Sequence, residues 1–229
     1  MTLTPLKTPI RDAAMALLAV IFLVMGAAFS IVALEAVWWE GALGSSSGLA
    51  SVRGDLGLWT FVAHSDILGA TFTSKPVYLN ATTLCGGSES VVTIQEACSG
   101  IQATRALVGA AVAFSSVATL ASLFSFGALL NCGGKCDDQL GKRLLLISSG
   151  LAITAAGLMI GAMIAGAVAG HGMGLGNFGT LTYAMGPGVY GAIFQIVICL
   201  LGAALATSAW NDLNHHHKVL RHMEAGSQV

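Results

Sequence analysis

The polar stretch opening Trp38-Trp39-Glu40-Gly41, passing through Gly57-Leu58-Trp59-Thr60 and closing Gln102-Ala103-Thr104-Arg105-Ala106-Leu107 decides the fold. Apolar runs flank it on both sides, and it is the one large part of the chain able to fold in water. It carries Cys85 and Cys98 near its end. Tryptophans at a bilayer edge, two cysteines and a polar loop are the makings of the working end of a membrane protein.

Composition supports this reading. Of 229 residues, 55% are hydrophobic and only 9% are charged. Soluble domains carry about 25% charged residues, so this chain lacks the polar surface of a water-soluble globule. Lys+Arg is 10 and Asp+Glu is 11, a formal net charge of -1. That balance gives no electrostatic ground for a nucleic-acid partner.

Roughly 20 apolar residues cross a bilayer. Runs of that length lie at 13–37, 105–130, 144–169 and 188–210. The first is too long for a signal core of about 7–15 apolar residues and reads as a retained span. Lys7, Arg11, Lys135, Lys142, Arg143, Lys218 and Arg221 fall on one side of this arrangement, which makes that side cytoplasmic. The expected layout is therefore a cytoplasmic segment 1–12, a large outer loop 38–104, an inner loop 131–143, a second outer loop 170–187 and a cytoplasmic tail 211–229, in the plasma membrane.

Within the outer loop, 41–48 reads as flexible. The pieces 56–63, 70–79 and 91–94 read as strands, being rich in Val, Thr, Phe and Tyr and punctuated by Gly, Pro and Ser. A small antiparallel sheet follows. A sheet of this size has little core and needs a staple. Cys85 and Cys98, in an oxidising compartment, suit a disulfide that stabilises by roughly 3 kcal/mol; two free thiols are the alternative. Asn80-Ala81-Thr82 is a glycosylation sequon on the same side. Trp38 and Trp39 suit the interfacial aromatic belt, and Glu35 beside them suits an interfacial acid. Arg105 either snorkels or stacks on an indole such as Trp38 or Trp59.

Elsewhere, Cys132 and Cys136 flank a Lys in the inner loop and are palmitoylation candidates ahead of a metal site, for which two cysteines without a partnering His or further Cys are poor, and of unmodified thiols. Gly157, Gly161, Ala165 and Ala169 make a small-residue stripe on the third span, and Gly166 begins a second. Such faces let helices approach closely in lipid. Gln195 is expected to bond a neighbouring helix. Ser227-Gln228-Val229 suits capture of a free carboxylate terminus by a PDZ domain. His64 and Asp66 lie close in sequence without a nucleophile or a metal set. Neither an enzyme, a metal nor a cofactor is expected.

The fold class read from these features is an all-α membrane protein, a four-transmembrane-helix bundle with a small antiparallel β-sheet in its first outer loop. Four spans, a large first outer loop, Trp38 or Trp39, Gly57-Leu58-Trp59, Cys85 and Cys98 together resemble the signature of the claudin and peripheral myelin protein superfamily. Gln102-Ala103-Thr104-Arg105-Ala106-Leu107 and Lys135-Cys136-Asp137-Asp138 look like claudin segments around the second span. Val62 stands where claudins have their first Cys, so the loop is enlarged or rearranged. The resemblance implies a tetraspan of cell–cell adhesion or paracellular barrier, with the lipid bilayer and further copies of itself as partners. Its other branches imply an auxiliary subunit of an ion channel or other large membrane complex, or a myelin-type organiser of membranes.

Overall fold

A computed structural model describes residues 10–44, 50–67, 69–78, 95–131, 138–174 and 181–226. Four long helices run over Ile10–Glu35 (α1), Gln95–Asn131 (α2), Asp138–Gly174 (α3) and Pro187–Gly226 (α4). α2, α3 and α4 extend past the apolar runs that announced them at both ends, because flanking residues continue the backbone hydrogen bonding; α1 begins before its run 13–37 but stops at Glu35, and Val37 opens a strand. Their segments Ala14–Glu35, Cys98–Leu130, Leu140–Gly170 and Pro187–His215 are long and apolar enough to cross a membrane.

The burial pattern on these helices is the reverse of a water-soluble bundle. Leu17, Leu18, Ile21, Val24, Ile153, Ile164, Phe194 and Leu200 are exposed, whereas Ala16, Ala19, Ala118, Ser122, Ser148, Ala152, Ala155 and Ala206 are buried. In water this would leave an apolar surface far beyond what monomers tolerate. In lipid, where hydrophobicity does not hold helices together, small residues belong inside so that backbones can approach. These helices are built for a bilayer.

Two compact units divide the chain, and each helix contributes to both. The first comprises Met1–Ala28, Val112–Ala156 and Gln195–Val229. Within it the four helix segments close a ring through serine and threonine hydroxyls and close contacts. Thr119 Oγ1 donates to Leu23 O across α2 and α1 at 3.0 Å, and Ser125 Oγ to Gly141 O across α2 and α3 at 2.7 Å. Ser149 Oγ meets Ala203 O at 3.1 Å and Thr207 Oγ1 at 2.8 Å across α3 and α4. Gly26 and Gly202 bring α1 and α4 together against Cys199 and Leu23. Leu23, Ala118, Ala152, Ala156, Cys199 and Ala203 form the centre. Gln195 differs from expectation: its Nε2 bonds Cys199 Sγ on its own helix at 3.3 Å, and its buried Oε1 has no partner among the described residues.

The second unit, Phe29–Ala111 and Gly157–Phe194, holds the sheet. Its strands are Val37–Gly44 (β1), Ala50–Gly57 (β2), Thr60–Ile67 (β3), Ala70–Thr73 (β4), Val77–Tyr78 (β5) and Leu181–Met185 (β6). All pair antiparallel in the order β4-β3-β2-β1-β6, and β5 joins the same edge of β3 as β4. Gly69, at φ +84°, closes the turn from Ile67 to Ala70. Between β4 and β5, Ser74 N donates to Ala63 O at 2.8 Å and Ala63 N to Ser74 Oγ at 2.9 Å, which keeps Ser74 tied to β3.

The sheet differs from the sequence reading in four places, and the expected strand 91–94 lies outside the described residues. Residues 70–79 are not one strand but two, β4 and β5, with Ser74 to Pro76 between them. Residues 56–63 are not one strand: Leu58 and Trp59 turn the chain between β2 and β3. Gly41 to Gly44, read as flexible, belong to β1. The second loop supplies β6, which pairs with β1 from Trp39↔Met185 to Leu43↔Leu181. Glycine and a lack of alternation hid these two strands; pairing partners far along the chain stabilise them.

Candidate functional site

The signature residues converge where the sheet meets its helices. In a regular strand Trp38 and Trp39 would point to opposite faces. Here the β1–β2 register shifts between Val37 and Trp39, and the irregularity lets both indoles bury, at 1% and 2% exposure. Trp38 Nε1 donates to Ala33 O at 2.5 Å, and Trp39 Nε1 to Gly166 O on α3 at 2.9 Å. This corrects the aromatic-belt reading. The indole N–H groups are satisfied by buried carbonyls, not by interfacial water, and Glu35 beside them is exposed.

Glycine makes the room. A Cβ on Gly166 would meet Trp38 at 3.3 Å and Trp39 at 3.6 Å; one on Gly188 of α4 would meet Trp38 Cδ1 at 2.6 Å and Nε1 at 2.8 Å. Trp38 is thus held between two glycines of different helices. The stripe on α3 is spent unevenly. Gly166 receives the tryptophans, Gly161 faces Leu107, and Ala165 O and Ala169 face Gly100 of α2, while Gly157 opens onto space.

Arg105 ties the β2–β3 turn to α2. Its Nε donates to Leu58 O, and its guanidinium carbon stands 4.9 Å from the centroid of the Trp59 ring. Between the sequence alternatives, the structure selects Trp59 as its partner. Leu58 is fully buried beneath, and a Cβ on Gly57 would press on Thr60 and Ala36. Trp59 stays 45% exposed, and Arg105 Nη2 is enclosed without an acceptor among the described residues.

The sheet carries a charged network that sequence spacing did not reveal. Arg53 on β2 bonds Glu40 on β1 at 2.6 Å and Asp55 at 3.1 Å. The other Asp55 oxygen meets His64 Nε2 at 3.2 Å, and His64 Nδ1 meets Thr73 Oγ1 on β4 at 3.1 Å. A carboxylate can only accept, so Nε2 bears the proton and a neutral His64 accepts from Thr73. The sequence neighbours His64 and Asp66 do not pair; Ser51 Oγ donates to Asp66 at 3.4 Å. Registers Glu40↔Asp55, Arg53↔His64 and His64↔Thr73 put the network on one face, a signal available only once strands are aligned.

Cys98 is buried and engaged. Its expected partner Cys85 lies outside the described residues, as do Asn80, Cys132, Cys136, Ser227 and Val229. No protein-family model matches the chain, and no curated protein matches it. Fold and site therefore define the class by themselves: among the described residues, four long helices fit to cross a membrane and a six-stranded antiparallel sheet clasped to α2 and α3.

Proposed function

We propose that the chain is a claudin-like tetraspan of the plasma membrane, acting in cell–cell adhesion or a paracellular barrier, with its sheet outside and both termini cytoplasmic. One observation supports this above others. Trp38, Trp39, Gly57-Leu58-Trp59 and Arg105, the residues that carry the resemblance, gather at one junction although the sequence separates them widely. Such a clasp makes the sheet a rigid platform on its helices, which is what adhesion across a cell gap requires. Cys98 bonded to Cys85 would staple the remaining loop to the start of α2.

The network face sets an expectation for ions. Glu40, Asp55 and Asp66 outnumber Arg53 there, and carboxylates lining a passage favour cations. Expression in an epithelial monolayer that lacks the protein should shift dilution potentials toward cation preference. A clear anion preference would refute the ion argument.

The auxiliary-subunit reading draws on a different feature. Gly150 and Gly157 of α3 open onto space on either side of exposed Thr154, leaving a small-residue face unspent. Purification from native membrane in mild detergent, sized on a native gel, separates the two. A ladder of the chain alone supports adhesion; a fixed stoichiometry with one larger membrane protein makes it an auxiliary subunit and removes the pore argument.

A further inference from the structure

We propose that the apolar face of the sheet pairs with the same face of a second copy of this chain, sheet on sheet, with Ser65 at the two-fold axis. Such a pair rests on the adhesion reading and deepens it, because it gives associating copies a defined surface.

Strand register makes the sheet two-faced. Side chains alternate along a strand, and residues opposite one another across a ladder share a face. Val52 pairs with Ser65 and Ser65 with Phe72, which makes one row across β2, β3 and β4. Ile67 and Phe61 share a face with Ser65 on β3, and Phe61 pairs with Val77 of β5. Arg53, Asp55, His64 and Thr73 alternate with these residues and keep the charged network on the opposite face.

The face away from the network is apolar and uncovered. Val52 is 44% exposed, Val77 46%, Ile67 48% and Phe72 60%. A sheet normally buries its apolar face against another layer, and a contiguous apolar patch left in water marks an interaction surface. Part of this face is already covered: Trp39 and Leu56, paired where β1 leaves α1, are buried. Phe61 lies flat across Gly54, where a Cβ would meet its ring at 2.9 Å, so Phe72 is the side chain that projects.

Three features point to a second copy as the occupant. An uncharged face meets its own copy without repulsion, whereas the network face, with Glu40, Asp55 and Asp66 against Arg53, would repel itself. Ser65 stands at the centre of the row between Val52 and Phe72, and a hydroxyl both donates and accepts, so it can serve a copy of itself across a two-fold axis. The patch is on the order of 400 Å², about half of the ~800 Å² that each partner gives a standard interface. That is too little to capture a dilute soluble protein, but enough between copies that a membrane already concentrates. In the pair the two sheets stand about 10 Å apart, as packed sheets do.

The test uses the full chain in liposomes, with isotopically heavy and light copies mixed and Phe72→benzoylphenylalanine as a photo-cross-linker. Pairing predicts an adduct between a heavy and a light chain, within residues 50–77 of the second copy. The same analogue at Thr71, exposed on the opposite face, should not form it. Energy transfer between donor- and acceptor-labelled copies gives an independent measure. Phe72→Lys, which sets like charges on the pairing face, should lower the paired fraction about fivefold or more, while Thr71→Lys leaves it unchanged. An adduct to residues 79–94 of the same chain, or to lipid, overturns the second copy as occupant. Energy transfer that Phe72→Lys does not reduce overturns this surface and leaves adhesion through another surface standing. No energy transfer in the unmodified chain removes the pair and the self-association behind the adhesion reading together.

Discussion

Replacing Gly188 by alanine probes whether the sheet is fixed by a glycine-bracketed tryptophan. The new Cβ would lie 2.6 Å from Trp38 Cδ1, 2.8 Å from Nε1 and 3.0 Å from Val37 O. The flexible end of a side chain could yield, but this is the rigid edge of a buried indole next to backbone. Overpacking of this kind costs about 1–3 kcal/mol. Displacing the ring also strains the Trp38 Nε1 bond to Ala33 O, a buried bond worth about 0.5–1.5 kcal/mol. The expected loss is about 2–4 kcal/mol, or roughly 4–16 °C in apparent Tm for a chain of this size. Gly157→Ala is the control, because its Cβ meets nothing within 4 Å and the helix gains up to about 1 kcal/mol of propensity. Thermal unfolding in a single detergent, followed by sheet-sensitive circular dichroism, measures both. In a Trp38→Val background, which has no side-chain atom beyond Cγ and so removes the clashing ring edge, Gly188→Ala should cost at least about 1 kcal/mol less, a coupling typical of residues in contact. If Gly188→Ala is as stable as Gly157→Ala, or its cost is unchanged by Trp38→Val, the bracketing argument is wrong.

Three further outcomes are expected. Arg105→Lys keeps the charge but loses the fork that serves Leu58 O and stacks on Trp59, so it should destabilise by about 1–2 kcal/mol and raise the rate of limited proteolysis in the sheet. Alkylation with and without reductant should show Cys85 and Cys98 reacting only after reduction, while buried Cys199 reacts only after denaturation; removing the pair by Cys98→Ser should cost roughly 3 kcal/mol. A double-mutant cycle with Ser149→Ala and Thr207→Val should return a coupling of about 0.6 kcal/mol, the usual worth of an interhelical hydroxyl bond in lipid, and a value of zero would remove this bond from the account of α3–α4 packing.

How much could be read before the structure differs from element to element. The sequence by itself determined the four long helices, because apolarity over twenty or more residues is a sum along the chain that no distant partner needs to complete. It also singled out the tryptophans, Gly57-Leu58-Trp59 and Arg105, residue types too costly or too specialised to be scattered idly near a bilayer edge. It did not determine what those residues do. Whether adjacent Trp38 and Trp39 face lipid or protein depends on a one-residue register irregularity in β1 and on glycines at 166 and 188, far along the chain. Strand β6 has little alternation of its own and exists through its ladder with β1. The Glu40–Arg53–Asp55–His64–Thr73 network needs four strands in register before any of its members become neighbours. Local chemistry accumulates along a sequence and is legible there; pairing across long loops is settled only when the folded chain brings distant partners together.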